Sequence, residues 1–188
     1  MMPLVDRFAE ALVYATEIHQ AQRRKGTDIP YVAHLLAVAS LVLEDGGDEG
    51  EAIAALLHDA IEDTAATYTD IEARFGPDVA AIVQGCSDTD VMPKPPWRQR
   101  KEAYVAHLAD APPQVIRVSL ADKVHNARSV LFDYRLMGDD LWARFNPDAD
   151  QAWYFRSLVD AFRAVTRSPL VDELDRVVGE LERLRAPS

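Results

Sequence analysis

The sequence predicts an all-α fold, built as one domain over residues 1–188, and three observations carry that prediction. Apolar residues recur at spacings of three and four along nearly the whole chain, the period of a helix with one buried face. No stretch alternates apolar and polar residues with the period of a half-buried strand. Glycines are few, 8 in 188 residues, and the 11 prolines sit mostly between the periodic stretches, where helices end. The apolar content of 48% is that of a globular chain long enough to bury a core.

The elements follow in order. Asp6 to Gln22 reads as an amphipathic helix with Phe8, Leu12, Ala15, Ile18 and Ala21 on one face. A turn follows at Lys25-Gly26-Thr27-Asp28, and Pro30 suits a first helical position before an apolar run from Tyr31 to Glu44. Asp45-Gly46-Gly47 stops that run. Asp48 or Glu49 opens the next helix, which is expected to continue unbroken to about Asp63. Thr69-Asp70-Ile71-Glu72 has the form of a capping box before a short helix ending at Gly76, and Pro77 starts another to about Gly85. Asp88 to Pro96 is a polar loop with three prolines. Helices are expected from Trp97 to Ala109, from Gln114 to Leu136, around Leu141, from Asp148 to Val165, and after Pro169 to Leu184. The core is placed at about residues 8–165, with 170–185 as a C-terminal helix.

Composition narrows the functional classes. One cysteine, Cys86, excludes an internal disulfide framework. The first ten residues lack a basic segment followed by a long apolar run, and the longest apolar stretch, Leu35 to Leu43, is too short to span a bilayer. A cytoplasmic protein with no membrane partner is the expectation. A formal net charge of −11 argues against nucleic acid. Within this acidic chain lie two basic islands, Arg23-Arg24-Lys25 and the run from Lys94 through Arg98 and Arg100 to Lys101. Such islands suit a small polyanion better than ordinary surface does. Oligomeric state has no signature in the sequence.

The chemistry concentrates in Leu56-Leu57-His58-Asp59-Ala60-Ile61-Glu62-Asp63-Thr64. Three carboxylates and an imidazole within six residues of an otherwise apolar helix are costly to bury unpaired, and a cation removes that cost. Glu62 and Asp63 lie one turn beyond His58 and Asp59 on the same faces. His34 is surrounded by Leu35, Leu36, Val38 and Ala39 and is expected to point inward. Asp122 sits inside the most apolar helix, with Asn126 one turn later. Two histidines and two aspartates from three helices form a borderline-to-hard donor set suited to Mn²⁺ or Fe²⁺, with positions left for water and substrate.

The order His34, His58-Asp59, Asp122 resembles the H…HD…D pattern of the HD-domain phosphohydrolases. The surrounding blocks, Gln22-Arg-Arg-Lys-Gly, Pro30-Tyr-Val-Ala-His34, ALLHDAIEDT, ARFGPDVAAIVQG and LADKVHN, resemble the hydrolase domain of RelA/SpoT proteins. Without a synthetase or regulatory segment, the chain is most similar to stand-alone small alarmone hydrolases over about residues 8–165. That resemblance implies an HD-type helical bundle in which His34, His58, Asp59 and Asp122 ligate Mn²⁺ or another divalent transition metal. It implies that Glu62 and Asp63 orient and deprotonate the attacking water, that Arg23 packs on the base, and that Arg24 and Lys25 line the nucleotide cleft. Asn126 would contact the nucleoside, and Tyr154 would lie near the phosphates. The implied reaction is metal-dependent removal of the 3′-pyrophosphate from (p)ppGpp or (pp)pApp. The alternatives are another phosphorylated nucleotide, such as NADPH or a nucleoside monophosphate, or a silent nucleotide sensor.

The chain departs from the family pattern at three places. Ser119 stands where the family usually has a lysine, Cys86-Ser87-Asp88 replaces a Val-Thr-Lys/Asp run, and Asp148, Asp150 and Gln151 precede Tyr154 where some relatives have an arginine. Lys94 and Arg98 are the candidates to supply phosphate contacts instead. His19 reads as a surface residue beside the basic turn, His107 as exposed, and His125 as lying off the face of Asp122. Trp97 and Trp142 read as packing residues, and Cys86 as a small core residue.

Overall fold

The computed structural model describes residues 6–87, 95–146 and 148–185. Most of the 88–96 loop, including Lys94, therefore lies outside the described residues. Within them the chain is all-α, as predicted. Ten α-helices and one 3₁₀ helix appear, and the β pairing is confined to an isolated bridge between Arg23 and Pro30. The helices are α1 (Asp6–Ile18), α2 (Val32–Glu44), α3 (Glu49–Leu57), α4 (Ala60–Asp63), α5 (Tyr68–Phe75), α6 (Pro77–Cys86), α7 (Trp97–His107), α8 (Pro113–Met137), α9 (Gln151–Val165) and α10 (Pro169–Arg185). The 3₁₀ helix, Gly138–Arg144, follows α8. No helix among the described residues is long and apolar enough to cross a membrane.

The 25-residue α8 is the axis of the fold, packed against α2, α3, α6, α9 and α10. Its buried face runs Val115, Val118, Ala121, Val124, Leu131, at the three- and four-residue spacing of a helix with one side in the core. The neighbouring α3 is buried on every side, from Ala52 through Leu57, because α1, α2, α6 and α8 surround it. The buried side chains of all these helices form a continuous cluster.

Three element boundaries differ from the sequence expectation for identifiable reasons. The first helix stops at Ile18, and residues 19–31 form a closed loop in which the Tyr31 amide donates to the Gln22 carbonyl (3.1 Å). The capping box of α5 lies two residues earlier than expected: Thr67 and Asp70, not Thr69 and Glu72, exchange side-chain and backbone bonds. The helix expected to run unbroken to Asp63 is interrupted at His58-Asp59. There His58 Nδ1 takes the Ala55 carbonyl (2.8 Å), which an unbroken helix would offer to the Asp59 amide. Asp59 responds with φ −97° and ψ 0°, turning its carboxylate inward. The N-terminus of α3 matches expectation, with Asp48 and Glu51 in a reciprocal capping box.

Candidate metal centre and its cleft

Three segments bring the four predicted ligands together. On α2, His34 is 1% exposed; at the α3–α4 break, His58 is 3% exposed; on α8, Asp122 is 5% exposed. Ligand atoms of His34, His58 and Asp59 lie within 4.8 Å of one another. Asp122 joins them, with Oδ1 at 3.2 Å from His34 Nε2 and 3.6 Å from His58 Nε2. Asp59 Oδ2 is 3.0 Å from His58 Nε2 and 3.6 Å from His34 Nε2.

The donor chemistry fits a cation. Because His58 Nδ1–H donates to the Ala55 carbonyl, its Nε2 is the ring atom left to take either a proton or a metal ion. That Nε2 is buried without a hydrogen-bond partner, facing carboxylate oxygens that are also lone-pair donors. Such an arrangement is repulsive unless a proton or a metal ion lies between the groups. Burial opposes charge on His58, but Asp59 and Asp122 more than offset it and raise its proton affinity well above the ordinary value. Burial likewise opposes charge on both aspartates. His58 and His34 hold Asp59 well below the usual carboxylate range, and Lys123, then the two histidines, do the same for Asp122. Two imidazoles and two ionised carboxylates suit a divalent metal.

Around the four lies a shell that sequence reasoning did not assign. Tyr31 donates to Asp59 Oδ2 (2.6 Å); burial and then Asp59 push its hydroxyl far above the ordinary range. Lys123 donates to Asp122 Oδ2 (2.6 Å) and lies over the Tyr104 ring, 4.8 Å from its centre. His125, expected off the Asp122 face, instead meets His34, Nδ1 to Nδ1 at 2.7 Å. Desolvation, then His34 and Arg24, push His125 down to about 4, so it is neutral and free to accept from His34 Nδ1–H. That bond leaves His34 Nε2 as a lone pair aimed at the acids. The spacing of three from Asp122 was the available signal, since i and i+3 share a face. His19, expected at the surface, is buried (3% exposed) and stacks on Tyr31 with ring centres 5.2 Å apart.

Beside the cluster lies a cleft of about 920 Å³, a volume in the range of small-molecule sites; none of the four side chains lines it, but Tyr31, Lys123 and Asn126, which bond to Asp59 and Asp122, do. Basic side chains outnumber acidic ones along its walls although the whole chain carries −11. Arg24, Lys25, Asn126 and Tyr154 all line it. Arg24 donates to Asn126 Oδ1 (2.9 Å), whose Nδ2 donates to Asp122 Oδ1 (2.5 Å), so the basic turn is tied directly to the His/Asp cluster. Gly26, at φ +72°, lets that turn lie against Arg144; a Cβ there would sit 2.7 Å from Arg144 Cδ. Arg23 also lines the cleft but spends its guanidinium on the Gln20 and Gln22 carbonyls. Arg98 does not line it: the guanidinium lies 3.3 Å over Trp153 and pairs with Glu102, while Lys101, over the Tyr154 ring, faces the cleft. Trp97, read as a packing residue, both packs on Trp153 and Tyr154 and lines the cleft.

Asp63 reaches the cleft, and desolvation followed by the nearby Asp59 raises its carboxyl above the usual range. Glu62, half-buried on the same short helix, does not line it. Beneath Asp122 two of the departures from the family pattern meet: the Ser119 hydroxyl donates to Cys86 Sγ (3.6 Å). Both are buried, and burial pushes the thiol up to about 11.

Comparison with known proteins agrees with this construction. The family described as HD domain matches residues 11–145. The guanosine-3′,5′-bis(diphosphate) 3′-pyrophosphohydrolase MESH1 of Drosophila melanogaster is 33% identical over 174 residues, covering 91% of this chain and 92% of that protein. The bifunctional (p)ppGpp synthase/hydrolase SpoT of Escherichia coli is 39% identical over 134 residues, 67% of this chain but 18% of SpoT. A solved structure described as a metazoan ortholog of SpoT that hydrolyzes ppGpp superposes with a TM-score of 0.78 at 28% identity, covering 96% of this chain and 98% of the other. The matched span contains the whole His/Asp cluster and the basic turn, and on that ground the chain belongs to the HD-domain family, in its SpoT-hydrolase and MESH1 branch.

Proposed function

We propose that this protein hydrolyses guanosine-3′,5′-bis(diphosphate) at the 3′ position, with His34, His58, Asp59 and Asp122 holding a divalent ion, Mn²⁺ as the family resemblance implies. The observation that carries the reading is the buried Nε2 of His58, set among carboxylates whose partners Tyr31, Lys123 and Asn126 line a basic cleft. A bound divalent ion supplies a lowered water pKa and neutralises charge on phosphate oxygens. The chain's own residues do the rest. Arg24 and Asn126, already bonded to each other, hold the nucleoside side of the substrate beside Asp122. Lys25 and Lys101 offer positive charge to the phosphates along the cleft wall, with Tyr154 beside Lys101.

Asp63, with its raised proton affinity, is suited to take a proton from the attacking water, and Glu62 assists in orienting it. Water adds to the phosphorus attached to the 3′ oxygen, that P–O bond breaks, and the products are guanosine 5′-diphosphate and pyrophosphate. The continuous core cluster supports treating residues 1–188 as one functional unit.

The test is product analysis with Mn²⁺ on a panel of guanosine and adenosine 3′-pyrophosphates, NADPH and nucleoside monophosphates. Pyrophosphate released from a 3′-pyrophosphorylated nucleotide is the expected result. Orthophosphate alone from every substrate overturns the proposal, and tight binding without turnover at any metal concentration identifies a sensor instead.

A further inference from the structure

His19 and Gln22 belong to no ligand set, yet the structure builds both into the site. His19 Nδ1 lies 2.5 Å from Gln22 Oε1, and Gln22 Nε2 lies 2.8 Å from Asp63 Oδ2. The polarity of this chain follows from chemistry. A carboxylate offers only lone pairs, so Gln22 must turn its NH₂ toward Asp63 and its carbonyl toward His19. The carbonyl in turn requires the N–H of His19 to sit on Nδ1.

Both ends of the chain are anchored. The imidazole stacks on Tyr31 at an interplanar angle of 25°, and the Tyr31 hydroxyl holds Asp59 Oδ2 at 2.6 Å. The Gln22 backbone is pinned by its own amide to the His19 carbonyl (2.9 Å) and by the Tyr31 amide to its carbonyl. Packing alone does not account for an imidazole here. His19 Nε2 is buried with no hydrogen-bond partner, a desolvation penalty that an apolar ring of the same size would avoid.

We infer that His19 is a positioning residue: through Gln22 it fixes the direction in which the Asp63 carboxylate faces the cleft. The inference rests on the water-orienting role proposed for Asp63. With the Nδ1–H gone, the Gln22 amide has no group to choose its orientation, and Asp63 loses its fixed donor.

The experiment measures kcat, KM and metal content for His19→Phe and His19→Asn, alone and in an Asp63→Asn background. His19→Phe is expected to keep metal content and KM while lowering kcat by about ten- to a hundred-fold, up to the scale of a misplaced catalytic group. His19→Asn, whose side-chain N–H takes the place of Nδ1–H, restores most of that loss. In the Asp63→Asn background His19→Phe costs nothing further, which a general packing defect does not predict. If His19→Phe does not fold, Gln22→Leu must reproduce the kcat loss and its absence in the same background. A kcat unchanged by these substitutions, or lowered by the same factor with and without Asp63, overturns the inference. A slow Asp63→Asn with normal His19→Phe overturns the relay alone. Asp63→Asn at the parental rate overturns the relay together with the role given to Asp63.

Discussion

Two charge clusters sit five residues apart on α8, both reaching buried acids, and they are built on opposite principles. At Arg117 the protein closes its own circuit. The guanidinium pairs with buried Glu51 and, at 3.3 Å, with Asp45; Glu51 also accepts the Asp48 amide, and Asp45 accepts the Ser168 hydroxyl at 2.6 Å. That cluster staples the end of α2, the start of α3, α8 and the turn before α10, and every group in it has a partner of the right polarity. At Asp122 two carboxylates converge on the Nε2 atoms of two imidazoles, and the Nε2 of His58 makes no hydrogen bond of ordinary geometry. The first arrangement is that of a structural clamp, whereas the second has the chemistry proposed above for holding a cation.

That contrast can be broken or sharpened by substitution. The largest effect belongs to Asp59→Ala, which removes a carboxylate facing both histidines. Metal analysis and turnover assays should find both lost, and an active, metal-loaded Asp59→Ala protein would falsify the ligand set. Next is Glu62→Gln, which should keep the metal and lose about 10²–10⁴-fold in rate if the acid helps to activate water; full activity removes that role.

Arg117→Met tests the clamp. It strands buried Glu51 and should lower unfolding free energy by roughly 2–3 kcal/mol, somewhat under the range for a fully buried pair because the Arg117 side chain is 30% exposed. Metal affinity measured on the same variant should not change, and a joint loss would mean the clusters are coupled. His125→Ala should weaken metal binding by about 10–100-fold through loss of the bond that sets the His34 tautomer, read by competition with a chelator. Smallest is Arg135→Ala, which deletes an exposed pair with Glu180 and should move stability by less than about 1 kcal/mol.

Burial of Cys86 adds a pH test. Its thiol proton is held up to about 11 in the folded state against an ordinary 9.0. This contribution to stability is present below 9 and is lost as pH rises toward 11, because the unfolded chain gives up the proton first. Alkylation at pH 8 should accordingly be slow until the protein is unfolded.

Much of the site was legible before any coordinates. His34, His58, Asp59 and Asp122 are each chemically out of place in an apolar helix, and such misplacement is a local property that a sequence displays. The same reasoning failed where partners are distant or orientation decides. His19 looked like a surface residue because it stands beside the basic turn; Tyr31, which covers it, lies twelve positions on. Arg98 looked like a phosphate ligand because it is basic, but α7 is rotated so that Arg98 stacks on Trp153 and Lys101 meets the cleft.

By itself the sequence determined the all-helical class and most helix ends, and it singled out the four donor side chains that the fold brings together. Periodicity, capping residues and glycine or proline breaks act over one or two turns, and donor chemistry belongs to single side chains. The tertiary structure alone decided the break at His58-Asp59, the meeting of His34 with His125, and the line from His19 through Gln22 to Asp63. Each of these depends on which face of one helix lies against another, and a face has no meaning until its neighbour is in place.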